Sequence, residues 1–315
     1  MESKEILAQF NLSAQCKKYG LSLWQCPQFL FLIMGIIIIG STLAAYAIGN
    51  QYVEDPLVVA LIVIFITAIL FIISTIITRS FERLAEANRM KTEFISVVSH
   101  QLHSPLTNLK WVTEFLISGR IFPVSKKQLE YLEILKENNE RMEELISDLL
   151  VVSRIEQGKL PFKKKKIFLK ELIEDKIKKM RPFAEASNVE IEFQTKGVIP
   201  QIFIDSFQIE LVIDNLLDNA IRYIKDKGKV EIKLEKNDKN LYFKIKDNGV
   251  GVPRGDQKYI FQKFFRSENA MKHRTDGSGL GLYIVKSIIE KSKGKIGFKS
   301  EENKGSTFWF TLPII

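Results

Sequence analysis

Two uncharged apolar runs near the N-terminus, Phe29–Gly49 and Leu57–Thr78, leave this chain little conformational choice there. They are about 21 and 22 residues long and contain no Asp, Glu, Lys or Arg. In hydrocarbon every backbone N–H and C=O must find its partner within the segment, and a helix of about 20 residues does so across a bilayer core. Only Asn50–Pro56 separates the runs, and it carries Glu54 and Asp55 but no base. Lys17, Lys18, Arg79, Arg83, Arg89 and Lys91 lie on the outer flanks. Basic flanks stay in the cytoplasm. The expectation is a cell-membrane protein with two spans within residues 29–78, an external loop 50–56, a cytoplasmic segment 1–28 and both termini cytoplasmic. Trp24 and Tyr52 fall where interfacial aromatics belong. Ala45-Tyr-Ala47 has the look of a signal-peptidase site, but the 28 residues before the first run are too long for a leader.

Composition sets the remainder. With 315 residues, 46% apolar and 26% charged, the chain can fold about two soluble domains beside its membrane part. The net charge of +9 gathers beside the apolar runs and in Lys163–Lys166. No fingerprint of a nucleic-acid-reading module accompanies it, so these bases are expected to solvate the protein and meet acidic membrane lipid rather than nucleic acid. Lys163–Lys166 reads as a solvated strand edge or linker. Cys16 and Cys26 fit no zinc spacing and face a reducing compartment. They read as ordinary residues, with lipid attachment at Cys26 as the alternative.

From Leu84 apolar residues recur at helical spacing: Ala87, Phe94, Ile95, Val98, Leu102, Leu106, Leu109, Val112 and Leu116. Gly119–Val124, with Pro123, breaks the pattern, and Ser125 can cap a second helix. Its stripe is Leu132, Leu135, Met142, Leu145, Leu149 and Val152, ending near Gly158. Two such helices make an antiparallel helical hairpin, whose stripe stays half exposed unless two copies pair into a dimeric four-helix bundle. His100 lies off the stripe, on a polar strip with Ser96, Ser104 and Thr107. A neutral imidazole is well populated near pH 7 and is a competent nucleophile. Pro105 removes a helical N–H and frees the carbonyl of Gln101.

Beyond Lys163 the spacing predicts an α/β sandwich. Helices are expected over Phe168–Asn188, Ser206–Ile224 and Gly279–Ser292. Strands are expected over Val189–Gln194, Ile202–Asp205, Lys229–Glu235, Leu241–Lys246, Lys295–Lys299 and Thr307–Leu312.

Four segments carry a resemblance: Phe94–Leu106 around His100, Asp214–Tyr223, Asp247–Gly251 and Asp276–Leu282. Together, in this order and behind two apolar runs, they are similar to the sequence boxes of the sensor histidine kinases, over about the last three quarters of the chain. Phe261–Arg266 is similar to that family's phenylalanine box. The resemblance implies a multidomain protein: a transmembrane hairpin, a linker helix 79–90, a dimerisation and phosphoacceptor domain 91–158 and an ATP-binding domain 163–315. It implies that His100 takes the γ-phosphoryl group of ATP and passes it to an aspartate on the receiver domain of a separate response regulator. Asn219 stands where the family ligates Mg²⁺, with Asn215 beside the phosphates. Arg222 and Tyr223 continue that box. Asp247 stands where adenine's amino group is recognised, with Gly249 and Gly251 turning the backbone. Gly277, Gly279, Leu280 and Gly281 form the second glycine box before a helix. Phe261, Phe265 and Thr307 complete the nucleotide site, and Ser267–Asp276, with Lys272, His273 and Arg274, is the lid.

Three departures bear on catalysis. Gln101 replaces the usual acid after the histidine, His103 replaces arginine, and Ser104 replaces threonine. An amide can fix the imidazole tautomer but cannot take its proton, which costs up to about a hundredfold if that transfer limits the rate. The alternative reading is therefore an ATP-binding sensory pseudokinase, or a response-regulator phosphatase using Ser104 to orient water. A third is an ATPase of the gyrase and heat-shock class, which lacks a His100-type hairpin. The external loop is too short for a ligand-binding domain, so input is expected within the membrane, through that loop, or from a partner membrane protein.

Overall fold

The structure, a computed structural model, describes residues 27–120, 123–273 and 277–314. Cys16, Lys17, Lys18, Trp24, Cys26, Arg274 and Asp276 lie outside the described residues, as do the side chains of Arg89, Lys91 and Ser96. The chain divides into two compact units. One ends at Gln101 and also takes Glu156–Lys159; the other holds Leu102–Ile155 and the chain from Leu160.

In the first unit, helix α1 (Pro27–Tyr52) and the apolar part of helix α2 (Pro56–Ile117) are each long and apolar enough to cross a membrane. Asp55 caps α2 by accepting from the Leu57 N–H at 2.9 Å, and Pro56 takes the first helical position, where a missing N–H costs nothing. The two helices approach closely at Gly49, where an added Cβ would sit 2.7 Å from Val59. The Thr42 and Thr67 hydroxyls meet at 3.1 Å. Small residues and hydroxyl pairs are what brings helices together where lipid is as apolar as leucine. The expected 29–78 region, the linker 79–90 and the first hairpin helix thus include one uninterrupted helix, α2.

In the second unit, α2 from Leu102 pairs with helix α3 (Lys126–Glu156). Gly119, at φ +64°, ends the first helix. Ser125 and Gln128 form a reciprocal cap: the Gln128 N–H donates to the serine Oγ, and the serine N–H donates to the Gln128 Oε1. Buried Asn139 of α3 donates to the Leu106 carbonyl at 3.0 Å, and Lys110 pairs with Glu143. Leu106 and Ile146 are buried, but Leu109, Val112 and Leu135 remain 53%, 56% and 57% exposed.

The sandwich follows. A five-stranded sheet runs in the order β2 (Val189–Lys196), β4 (Gly228–Asn237), β5 (Asn240–Asp247), β7 (Gly305–Pro313), β6 (Lys295–Glu301). Only the β2–β4 pair is parallel. A separate antiparallel pair joins β1 (Lys165–Ile167) to β3 (Ile202–Ile204). Alternation puts Val230, Ile232, Leu234, Phe243, Ile245, Phe308, Phe310 and Leu312 on the buried face. Helices α4 (Leu169–Ala186) and α5 (Ser206–Arg222) pack there, as does α7 (Gly281–Lys291). Val152 of α3 and Leu160 join the same core.

The peptide leading into the sandwich is clamped. Asp205 caps α5 by accepting from the Gln208 N–H at 3.1 Å, and its other oxygen accepts from the Lys163 N–H at 2.5 Å. Gln208 donates to the Pro161 carbonyl, and Lys291, at the end of α7, donates to that of Leu160.

Candidate nucleotide site

A cavity of about 210 Å³ opens between α5, α7, the turn after β5 and the face of α3. At one end is Asp247, the last residue of β5 and 6% exposed. Its Oδ1 accepts from the N–H groups of Gly249, at 2.9 Å, and Ser306, at 3.1 Å. Burial pushes its carboxyl up to about 6, although both N–H bonds favour the charged form. The turn requires glycine: a Cβ on Gly249 would lie 2.3 Å from the Tyr223 carbonyl, and Gly251 adopts φ +63° with the Glu301 carbonyl against it. Val250, Ile260, Phe265, Ala270 and Phe308 supply an apolar lining suited to a flat base.

On α5, Asn215, Asn219 and Arg222 follow helical spacing and border the cavity with Tyr223. The Asn215 Nδ2 donates back to the Leu211 carbonyl, which turns its Oδ1 toward Gly281; a Cβ there would meet that oxygen at 2.2 Å. Arg222 is already engaged: its Nε donates to Asp218, and its guanidinium lies 5.3 Å over the Phe183 ring. A phosphate contact from Arg222 would have to share it with Asp218. Among the described residues no group of three or more His, Cys, Asp or Glu could hold a metal ion. The oxygens this wall offers a hard cation are the amide oxygens of Asn215 and Asn219 and the carboxylate of Asp218, one oxygen of which already accepts from Arg222.

The other end is formed by Gly277, Ser278 and Gly279 before α7. Gly277 and Gly279 sit at φ +138° and +66°. The Ser278 hydroxyl accepts from the Leu280 N–H and donates at 2.9 Å to Asp148 of α3. Arg141 and Leu145 of α3 complete this wall. Burial raises the Asp148 carboxyl, and Glu144 one turn away is raised for the same reason, with the Arg222 charge pulling it back.

Four predicted binding residues do not border the cavity, each for a definable reason. Thr307 is out of phase on β7: Ser306 and Phe308 face the pocket, so Thr307 points to the opposite face. Phe261 is half-buried and packs edge-on against Phe298 at 5.8 Å, against the core rather than the cavity. Leu280 is buried beneath the start of α7, and Gly249 acts through its backbone alone. Conversely, Ser306 and the α3 residues Arg141, Leu145 and Asp148 border the site without being among the predicted binding residues, as does Ser278, which sits between two of them. His100, Gln101, His103 and Ser104 are all exposed on α2, and the Thr107 hydroxyl turns back to the His103 carbonyl.

Residues 90–158 match the His Kinase A (phospho-acceptor) domain, and residues 204–315 the histidine kinase-, DNA gyrase B- and HSP90-like ATPases. The circadian input-output histidine kinase CikA of Thermosynechococcus vestitus is 32% identical over 73% of this chain and 32% of its own. The signal transduction histidine-protein kinase BarA of Escherichia coli K12 is 30% identical over 74% of this chain and 26% of its own. The alginate biosynthesis sensor protein KinB of Pseudomonas aeruginosa is 29% identical over 72% and 37%. The chain thus spans about a third of the length of these curated relatives. Full-length ShkA, solved in complex with AMPPNP, shares the fold with a TM-score of 0.59 and 24% identity, over 70% of this chain and 45% of that one. The chain belongs to the sensor histidine kinases.

Proposed function

We propose that this chain is a membrane-anchored, homodimeric histidine autokinase of a two-component system. The observation that carries the reading is the cavity, in a chain that also exposes His100. A buried carboxylate acceptor stands at one end, and glycine turns with paired amides stand at the other. ATP fits it: Asp247 can accept from adenine's amino group, and the glycine-flanked N–H groups before α7 leave room for phosphate oxygens. Mg²⁺ would take the Asn219 amide oxygen together with phosphate oxygens and water, neutralising charge on the transferred group. A ring nitrogen of His100 attacks the γ-phosphorus, the N–P bond forms as the bond to the ADP oxygen breaks, and the other ring nitrogen loses its proton. The Gln101 amide can accept a hydrogen bond from that N–H but cannot take the proton, which passes to water. An aspartate on the receiver domain of a separate response regulator then receives the phosphoryl group, and Ser104 can orient water for its later removal.

The exposed apolar stripe of α2 and α3 supports pairing of two copies into a four-helix bundle. The two apolar helices support a membrane hairpin with both ends cytoplasmic, its basic flanks against acidic lipid, and input arriving through the membrane or a partner membrane protein. The domains we assign are 29–78, 79–90, 91–158 and 163–315.

The test is autophosphorylation of the full chain in lipid nanodiscs with radiolabelled ATP and Mg²⁺. Acid-labile label should vanish in His100→Ala while ATP binding is unchanged. Equal labelling of both proteins overturns the assignment. Gln101→Glu should raise the labelling rate by about tenfold or more if proton removal limits it.

A further inference from the structure

The short helix α6 (Glu268–His273) is tied to the two turns beside it by side-chain hydrogen bonds. The Asn269 amide is saturated. Its Nδ2 donates to the carbonyls of Val250, at 3.0 Å, and Gly251, at 2.6 Å, while its Oδ1 accepts from the Ser267 hydroxyl and the Ala270 N–H. One turn on, the Nε2 of His273 lies 3.2 Å from the Ile224 carbonyl. A carbonyl only accepts, so that nitrogen carries the proton. The two turns reached in this way are themselves joined, since the Val250 N–H donates to the Tyr223 carbonyl at 2.9 Å. The turn after α5, the glycine turn after β5 and α6 therefore form a closed ring of hydrogen bonds around the base end of the cavity. Residues four apart share a helix face, so both anchors act from one side of α6, while Ala270 between them borders the cavity.

We infer that Asn269 and His273 are positioning residues for the nucleotide base: they hold α6 as a preformed wall, so that ordering this wall is not charged against binding. The inference rests on the nucleotide reading of the cavity. It concerns affinity, not the chemical step, because neither side chain is among those that border the cavity.

The experiment is titration of the full chain in nanodiscs with a fluorescent adenine nucleotide, displaced by ATP, alongside labelling rates at saturating ATP. Asn269→Ala and His273→Ala should each weaken ATP binding by about tenfold or more, the Asn269 change by the larger factor since it removes four bonds to the one of His273, and leave the saturating rate within about twofold, as expected from losing bonds that only order a wall. Asn269→Asp, which keeps size but sets a carboxylate against two carbonyls, should bind at least as weakly as the alanine variant. His273→Gln, which restores a donor, should recover most of the affinity. Alanine variants that bind ATP like the parent, or that lose rate without losing affinity, overturn the inference. A parent chain that binds no adenine nucleotide overturns the nucleotide reading itself, and the inference with it.

Discussion

The two ends of the cavity are built on different principles. The base end belongs wholly to the sandwich: Asp247, Ser306, Phe308 and the glycine turn are held by strand register and by backbone N–H groups bonded at 2.9 to 3.1 Å, and α6 by the Asn269 and His273 side chains. The phosphate end is finished by a helix of the hairpin, through one hydroxyl–carboxylate bond between Ser278 and Asp148. A recognition end built within the sandwich and an end closed by a hairpin helix differ in what a nucleotide meets on arrival. At the first it finds a formed acceptor. At the second it finds the Asp148 carboxylate, which opposes its own negative charge, with the Arg141 side chain on the same wall.

The sharpest way to break this contrast is at Asp247. Asp247→Asn should lower ATP affinity by about a hundredfold, since an amide that turns its NH₂ to the amino group leaves two donors facing. It should also stabilise the protein at pH 8. The folded carboxyl is raised from 3.8 to about 6. The folded state therefore holds the proton more tightly between about pH 4 and 6, stability falls as pH rises through that window, and a cost of about 3 kcal/mol stands above it. Thermal melts of both proteins from pH 4 to 8 should diverge only above pH 4. An unchanged melting difference across that range would contradict the burial argument. In the parent, ATP affinity should fall as pH drops through about 6.

Gly281→Ala comes next. Its Cβ would displace the Asn215 amide rather than backbone, so the fold should hold while ATP affinity falls by about tenfold; a loss of folding cooperativity would instead point to a backbone clash. The smallest expected effect has the opposite sign. Asp148→Asn keeps a partner for Ser278 but removes the charge, and should tighten ATP binding by about threefold to tenfold at pH 8, with the gain shrinking as pH falls and the parent carboxylate protonates. Equal affinities at pH 8 would mean that the hairpin acid does not contest the phosphate end.

Most of the base end was legible in the sequence. Asp247 closes a predicted strand and is followed by glycines, and Asn215 and Asn219 share a helix face whatever the tertiary structure. Thr307 is drawn from the family resemblance, which carries no parity: β7 alternates so that Ser306 and Phe308 border the cavity and Thr307 lies on the other face. Phe261 and Phe265 look alike in sequence, and only their packing separates the core ring from the lining one. Asp148 and Asn269 were invisible for a deeper reason. Each gains its role from a partner far along the chain, Ser278 in one case and the Val250–Gly251 carbonyls in the other, and no periodicity encodes that meeting. The two apolar helices, by contrast, follow from composition alone.

The clamp on residues 160–163 has a mechanical consequence. Leu160 and Lys163 are fastened to the C-terminal end of α7 and the N-terminal end of α5, and both helices meet the cavity at their opposite ends. Helix α5 is 17 residues long, about 25 Å of stiff lever. A pull on the connecting peptide is thus delivered to the handles of the two levers whose tips carry Asn219 and Gly281, and strain entering the sandwich through its tether is transmitted to the nucleotide without first having to deform the sheet.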